Sequence, residues 1–166
     1  WCSDITYIWT YEGFVYLTSI MDLYFRKIIS WVLSETLEAS HVVKCIEKAK
    51  QSRHIENPLI FHCDRGCQYV SEAFHKATEG MIHSYSKKAY PWDNACIESF
   101  HALLKREWIN RFKIFNYTHA YKLIFEYIET FYNTVRIHSH CGYLSPNEYE
   151  EQYLKNLETT VTSLAS

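Results

Sequence analysis

No run of about 18 apolar residues occurs in the chain, and Trp1-Cys2-Ser3-Asp4 contains no basic stretch leading into an apolar one. A membrane partner is therefore not expected, and a soluble cytoplasmic protein is. A disulfide framework is missing too. Cys2, Cys45, Cys63, Cys67, Cys96 and Cys141 are scattered without the spacing of stapled domains, so reduced thiols are expected. Positive charge is also in short supply. At a net −2, overall charge cannot carry binding to a polyanion, and only a local basic patch is left for that role. Lys87, Lys88, Lys105, Arg106, Arg111 and Lys113 supply one against Asp93, Glu98 and Glu107, although an ordinary solvated face accounts for such a patch equally well. Internal repeats and low-complexity segments are absent.

Apolar and aromatic material is abundant. A chain of 166 residues that is 48% hydrophobic and 22% charged has the size and balance of one globular domain with a core. Its 14 Tyr, 9 Phe and 5 Trp either bury large areas or stack on partners.

Trp1 to Thr10 alternates, with Ile5, Tyr7 and Trp9 on one face and Asp4 and Thr6 on the other, as a strand does. Glu12-Gly13 marks a turn. Phe14 to Leu23 and Lys27 to Leu33 extend the pattern into a three-stranded antiparallel meander. Val42, Val43, Ile46 and Ala49 then recur at helical spacing, with Ser40 as the expected cap. Leu59 to Cys63 is a short apolar run of the kind buried on both faces of a parallel sheet, and Asp64 ends it. A helix over about 68–79, a strand near 81–84, a loop over 84–92 and a helix capped by Asp93 and running to about Asn110 follow. Tyr117, Ala120, Tyr121, Ile124, Phe125, Ile128, Phe131 and Tyr132 mark the last long helix. Three strands, then alternating strand and helix, then helices, predict an α/β fold with a five-stranded mixed sheet, three strands antiparallel and then two parallel, flanked by helices.

A carboxylate directly after an apolar strand, like Asp64, stands where open α/β sheets bind their ligands. A turn aspartate is the plain alternative. Residues seven apart differ by about 20° around a helix, so Glu98 and Lys105 share a side next to the apolar stripe of Ile97, Phe100, Leu104 and Trp108. Such a helix buries one flank and offers a carboxylate and an ammonium on the other. Carboxylates gathered without cations repel one another. Hard cations such as Mg²⁺ relieve that repulsion through oxygen ligands and keep positions open for water and phosphate. A zinc site from His62, Cys63, Cys67 and Cys96 is disfavoured, because neighbouring strand residues face opposite ways.

Four segments in order, Trp1 to Tyr7, Phe61 to Tyr69, Trp92 to Phe100, and Tyr132 to His138 followed by Leu144-Ser145-Pro146, closely resemble the catalytic core of bacterial insertion-sequence transposases. That group shares its ribonuclease-H-like domain with retroviral integrases. The resemblance implies a catalytic triad of Asp4, Asp64 and Glu98 holding two Mg²⁺ or Mn²⁺ ions. It implies cleavage of transposon-end DNA and transfer of the freed 3′-hydroxyl into target DNA, in the bacterial cytoplasm. It assigns DNA contact to Lys105, and the loop that mixes Lys87 and Lys88 with Trp92 is a candidate to grip backbone and stack on bases. His62 and Asn94 are expected to support the ligands. A core over residues 1–150, a tail over 151–166, an upstream helix-turn-helix part absent from this chain and a homo-oligomer on DNA complete the expectation. Two departures stand out: the Asp64 to Glu98 span is slightly short, near residues 78–81, and Ala89 replaces a common glycine. A nuclease of the same fold that only hydrolyses, or an inactive remnant, remains the alternative.

Overall fold

The computed structural model describes residues 1–55, 58–87 and 91–164. Strands β1 (Cys2–Thr10), β2 (Gly13–Asp22) and β3 (Lys27–Ser34) form the antiparallel meander, with Asp4 opposite Ser19 and Thr10 opposite Gly13. Gly13 takes a φ of +125°, which its lack of a side chain permits at the hairpin end. Helix α1 (Ala39–Ser52) then crosses the sheet, and β4 (Ile60–Cys63) enters beside β1 in parallel. After α2 (Glu72–Ala77), β5 (Ile82–Tyr85) adds a further parallel strand, which gives the order β3-β2-β1-β4-β5. The predicted mixed sheet is the observed one.

Alternation along the strands divides the core between the two faces. Ile20, Val32, Phe61 and Cys63 pack under α1 with Val42, Cys45, Ile46, Ala49, Tyr69 and Phe74. On the other face Cys2, Ile8, Val15, Leu17 and Trp31 meet α3 (Ala95–Glu107) and α4 (Tyr117–Phe125) through Ile97, Phe100, Leu104, Ile124 and Ile128. β1 is covered on both faces only at its start; farther along, Tyr7 and Trp9 are exposed on one of them.

Several helix ends differ from expectation. Ser40 lies inside α1, whose N-cap position is Glu38. The helix expected over 68–79 is split into a 3-10 turn, Cys67–Val70, and α2, because the Ser71 hydroxyl accepts the Phe74 N–H and starts a new helix. Asp93 does not cap α3. Its carboxylate accepts the Lys87 N–H at 2.9 Å, and Asn94 holds the cap position after a 3-10 turn, Pro91–Asn94. The short span near 78–81 is a tight turn in which the Met81 N–H reaches the Thr78 carbonyl and Gly80 takes φ +83°.

The stripe on the last predicted helix is rotated. Ala120, Leu123, Ile124, Tyr127, Ile128 and Tyr132 are buried, whereas Tyr121 and Phe125 are 41% and 46% exposed. Apolar residues occupy both flanks of this segment, and Tyr127 turns inward because its hydroxyl finds Glu107 at 2.8 Å. From Glu126 to Tyr132 the backbone widens into a π-helix. A further helix, α5 (Pro146–Leu164), was not expected. Its start is a capping box: Glu148 accepts the Ser145 N–H and hydroxyl at 2.8 and 2.7 Å, and the Ser145 hydroxyl faces the Glu148 N–H. Glu150 on the same helix pairs with Lys27 at 2.7 Å and with Arg53, tying α5 to β3 and α1. Among the described residues no helix is long and apolar enough to cross a membrane.

Candidate active site

The parallel pairing of β1 with β4 decides where the first two carboxylates stand. Cys2 pairs with His62, and the His62 N–H donates to the Trp1 carbonyl at 2.8 Å. Asp4 and Asp64 each follow two residues after that pair, Asp64 just past the end of β4. Burial first, and then the charges of Asp64 and Asp4, push the Cys63 thiol up to about 12. Both carboxylates thus act on one sulfur atom.

Each has a partner of its own. Asp64 Oδ1 accepts the Gly66 N–H at 2.9 Å in a tight Asx turn. A Cβ on Gly66 would meet Asp64 Oδ1 at 3.0 Å and Gln68 Oε1 at 3.2 Å, so a larger residue would push both side chains by a few tenths of an ångström, while its φ of −58° adds no strain. Asp4 Oδ2 faces His101 Nδ1 at 3.4 Å, and His101 Nε2 lies 3.4 Å from the hydroxyl of Ser19, the residue opposite Asp4 on β2. His101 is 5% exposed, so α3 closes over the Asp4 rung through an imidazole. No expectation had been attached to His101. Its signal was its place one turn after Glu98, on the flank that also carries Lys105.

Glu98 lies in the first turn of α3 and is exposed. Lys105, two turns along, is half-buried. Burial lowers its pKa, the charge of Asp4 opposes that shift, and the net is a lowering. The ammonium therefore lies within the field of Asp4. His62 uses both ring nitrogens, Nδ1 with the Ser84 hydroxyl at 2.9 Å and Nε2 with that of Ser86 at 3.1 Å, and so braces the end of β4 against β5. Asn94 is buried, and its Oδ1 has no hydrogen-bond partner. Lys87 is exposed, with its backbone N–H on Asp93. Lys88, Ala89 and Tyr90 lie outside the described residues, as does the side chain of Trp92.

Among the described residues no three His, Cys, Asp or Glu side chains stand close enough to hold one ion. The expected triad of Asp4, Asp64 and Glu98 is thus not gathered into one three-ligand site here. Cys63 is buried and Cys67 exposed. The acidic donors still suit a hard cation in kind. They are oxygen ligands at a sheet end, with an exposed carboxylate on the helix above and no competing thiolate cluster.

Models of the integrase core domain match residues 1–91 and 79–146. The chain belongs to the integrase core domain family. This integrase core is 40% identical over 153 residues to the transposase for insertion sequence element IS904 of Lactococcus lactis, a match that covers 91% of the chain and 60% of that protein. It is 36% identical over 156 residues to transposase InsF for insertion sequence IS3A of Escherichia coli, over 93% of the chain and 54% of that protein. The core thus spans rather more than half the length of these relatives. Among solved structures, it matches a simian T-cell lymphotropic virus intasome with a TM-score of 0.72 at 17% identity, over 90% of this chain and 52% of that one. The HTLV-2 integrase catalytic core domain in complex with magnesium matches at 0.66 and 13%, over 90% and 93%. The catalytic domain of Mos1 mariner transposase matches at 0.66 and 14%, over 78% and 69%. Integrase and transposase cores of this kind have the ribonuclease-H-like fold, so the expected fold class and the expected likeness to insertion-sequence transposases both hold.

Proposed function

We propose that this chain is the catalytic part of an insertion-sequence DDE transposase, which cuts DNA at the element end and transfers the freed 3′-hydroxyl into target DNA. What supports the reading is the β1–β4 pairing, with Asp4 and Asp64 each two residues after the Cys2–His62 pair, and the approach of His101, one turn from Glu98, to Asp4 at 3.4 Å. Asp4, Asp64 and Glu98 would hold two Mg²⁺ or Mn²⁺ ions. When bound, such a pair activates the attacking oxygen and stabilises the leaving one in in-line phosphoryl transfer.

The chain's own groups do the rest. His101 holds the Asp4 carboxylate to the helix, and the Gly66 N–H orients Asp64. Lys105 offers positive charge to the phosphodiester from the same flank as Glu98. His62 supports the end of β4, and Asn94, whose buried Oδ1 makes no cap bond to α3, would support the ligands from the N-cap position. Lys87, Lys88 and Trp92, which precede α3 in the sequence, would contact the DNA strand. An upstream helix-turn-helix part would supply the sequence-specific affinity that a net charge of −2 cannot, and a homo-oligomer would pair two ends.

The test supplies a pre-cut element end, target DNA and Mn²⁺ to the protein. Joined product is expected, and Asp64→Asn should lose it. Hydrolysis without joining would replace the proposal with a nuclease of the same fold. Folded protein that neither binds Mn²⁺ nor cuts would replace it with an inactive remnant.

A further inference from the structure

A cleft of about 440 Å³ opens on the flank of α3 adjoining the one that carries Glu98. Cys96 and Ser99 form its α3 wall. Arg26, from the turn between β2 and β3, faces them together with His138 and His140 from the segment before α5. No acidic side chain is among the described residues that line it. Arg136 also borders the cleft, but its guanidinium is held by Glu107 through two bonds of 2.9 and 2.8 Å. Arg26 has no such carboxylate among the ion pairs of the described residues.

The aim of Arg26 is fixed by its neighbour. His140 Nε2 donates to the Tyr24 carbonyl at 3.1 Å, which leaves Nδ1 to accept from the Arg26 guanidinium at 3.4 Å. Two nitrogens in this wall, Arg26 Nε and His138 Nε2, are buried without a hydrogen-bond partner. Unpaired buried polar atoms are costly, and because both are closed to solvent as the cleft stands, an oxygen-bearing ligand recovers their lost bonds only where the wall yields to it. Burial, and then the charge of Arg136, hold the His138 imidazole at about 4, so the ring is neutral at pH 7 and a bound anion would ease the positive field around it. Donors approach from α3, from a strand turn and from the segment before α5. That spread suits a tetrahedral oxyanion better than a planar carboxylate.

We propose that this cleft is an oxyanion pocket and that it takes one backbone phosphate of the DNA strand bound at the Glu98 flank of α3. Ser99 follows Glu98 directly, about 100° around the helix and about 1.5 Å along it. A strand crossing the active site therefore has a further phosphate near the cleft. The assignment to DNA rests on the function proposed above. The assignment to an oxyanion does not.

Two titrations test it on the 166-residue chain. Inorganic phosphate is added while the ring resonances of His138 and His140 are followed by NMR, and duplex DNA of random sequence is bound across a salt series. Wild type is compared with Arg26→Gln, with charge-keeping Arg26→Lys, and with Lys122→Gln as a control for charge loss at an exposed site. Saturable phosphate shifts are expected in wild type and not in Arg26→Gln. DNA affinity of Arg26→Gln should drop about threefold to tenfold irrespective of sequence, with a log–log salt slope about 0.9 shallower, while Arg26→Lys keeps the slope. If Arg26→Gln does not fold, His140→Ala, an exposed site that anchors Arg26, should weaken phosphate binding in the same direction. Absence of a saturable phosphate shift in folded wild type overturns the pocket. Phosphate saturation with a DNA slope indifferent to Arg26 overturns the DNA assignment. Phosphate saturation in a protein that binds no DNA keeps the pocket and removes the function on which its second half rests.

Discussion

Asn133→Ala should cost about 3 kcal/mol of folding stability without touching the acidic site. β3 is an edge strand, and the Asn133 side chain closes two of its backbone groups: the Ile28 N–H donates to Oδ1 at 3.0 Å, and Nδ2 donates to the Ile28 carbonyl at 2.9 Å. Asn133 is 4% exposed and Ile28 is 3% exposed, so water cannot replace the amide at little cost. Each stranded backbone group costs about 1 to 3 kcal/mol, and two give roughly 2 to 6, of which partial hydration of the gap returns some. Against a total of about 5 to 15 kcal/mol the loss is severe. With a urea m-value of about 1 to 3 kcal/mol per molar, the unfolding midpoint should move down by about 1 to 3 M, read by tryptophan fluorescence. Asn133→Asp should recover part of the loss, because its carboxylate still accepts the Ile28 N–H. A midpoint shift under about 0.3 M for Asn133→Ala would show that the amide is not what holds β3, and would refute the reasoning.

Gly66→Ala leaves an allowed φ but drives a methyl against Asp64 Oδ1. Activity in a joining assay should therefore fall at least tenfold, about 1.4 kcal/mol in the barrier, while the thermal midpoint moves little. Neutralising Lys105 as Lys105→Gln should weaken DNA binding more than Mn²⁺ binding, which separate titrations of the two ligands decide. Ser145→Ala removes the capping box of α5 and should cost about 0.5 to 2 kcal/mol by chemical denaturation. His138 has a folded pKa of about 4 against an ordinary 6.5, so the unfolded chain takes up the proton first and stability falls as pH drops from 6.5 towards 4. In His138→Gln the thermal midpoint should decline less over that window, and parallel pH profiles for the two proteins would count against the assignment.

Local pattern determined a great deal here. Period-two alternation in Trp1 to Thr10 and the apolar run ending at Cys63 were enough to place Asp4 on a strand and Asp64 at a strand's end. Helical spacing put Glu98 and Lys105 on one flank. Such features survive in sequence because side-chain direction is a property of the local backbone. Even α5 is legible, in the capping-box spacing of Ser145-Pro146-Asn147-Glu148. What tertiary structure alone decided depends on which chain segments meet. The pairing of β1 with β4 just before Asp4 and Asp64 has no local signature, and neither has the contact of His101 with Asp4 across β1 and α3. The choice of Tyr127 over Phe125 as the buried flank turned on a hydroxyl partner twenty residues away, at Glu107. Arg26 gained His138 and His140 as neighbours only because α3, a strand turn and the segment before α5 enclose the same space. A sequence specifies which way each residue points, and the packed fold specifies what it points at.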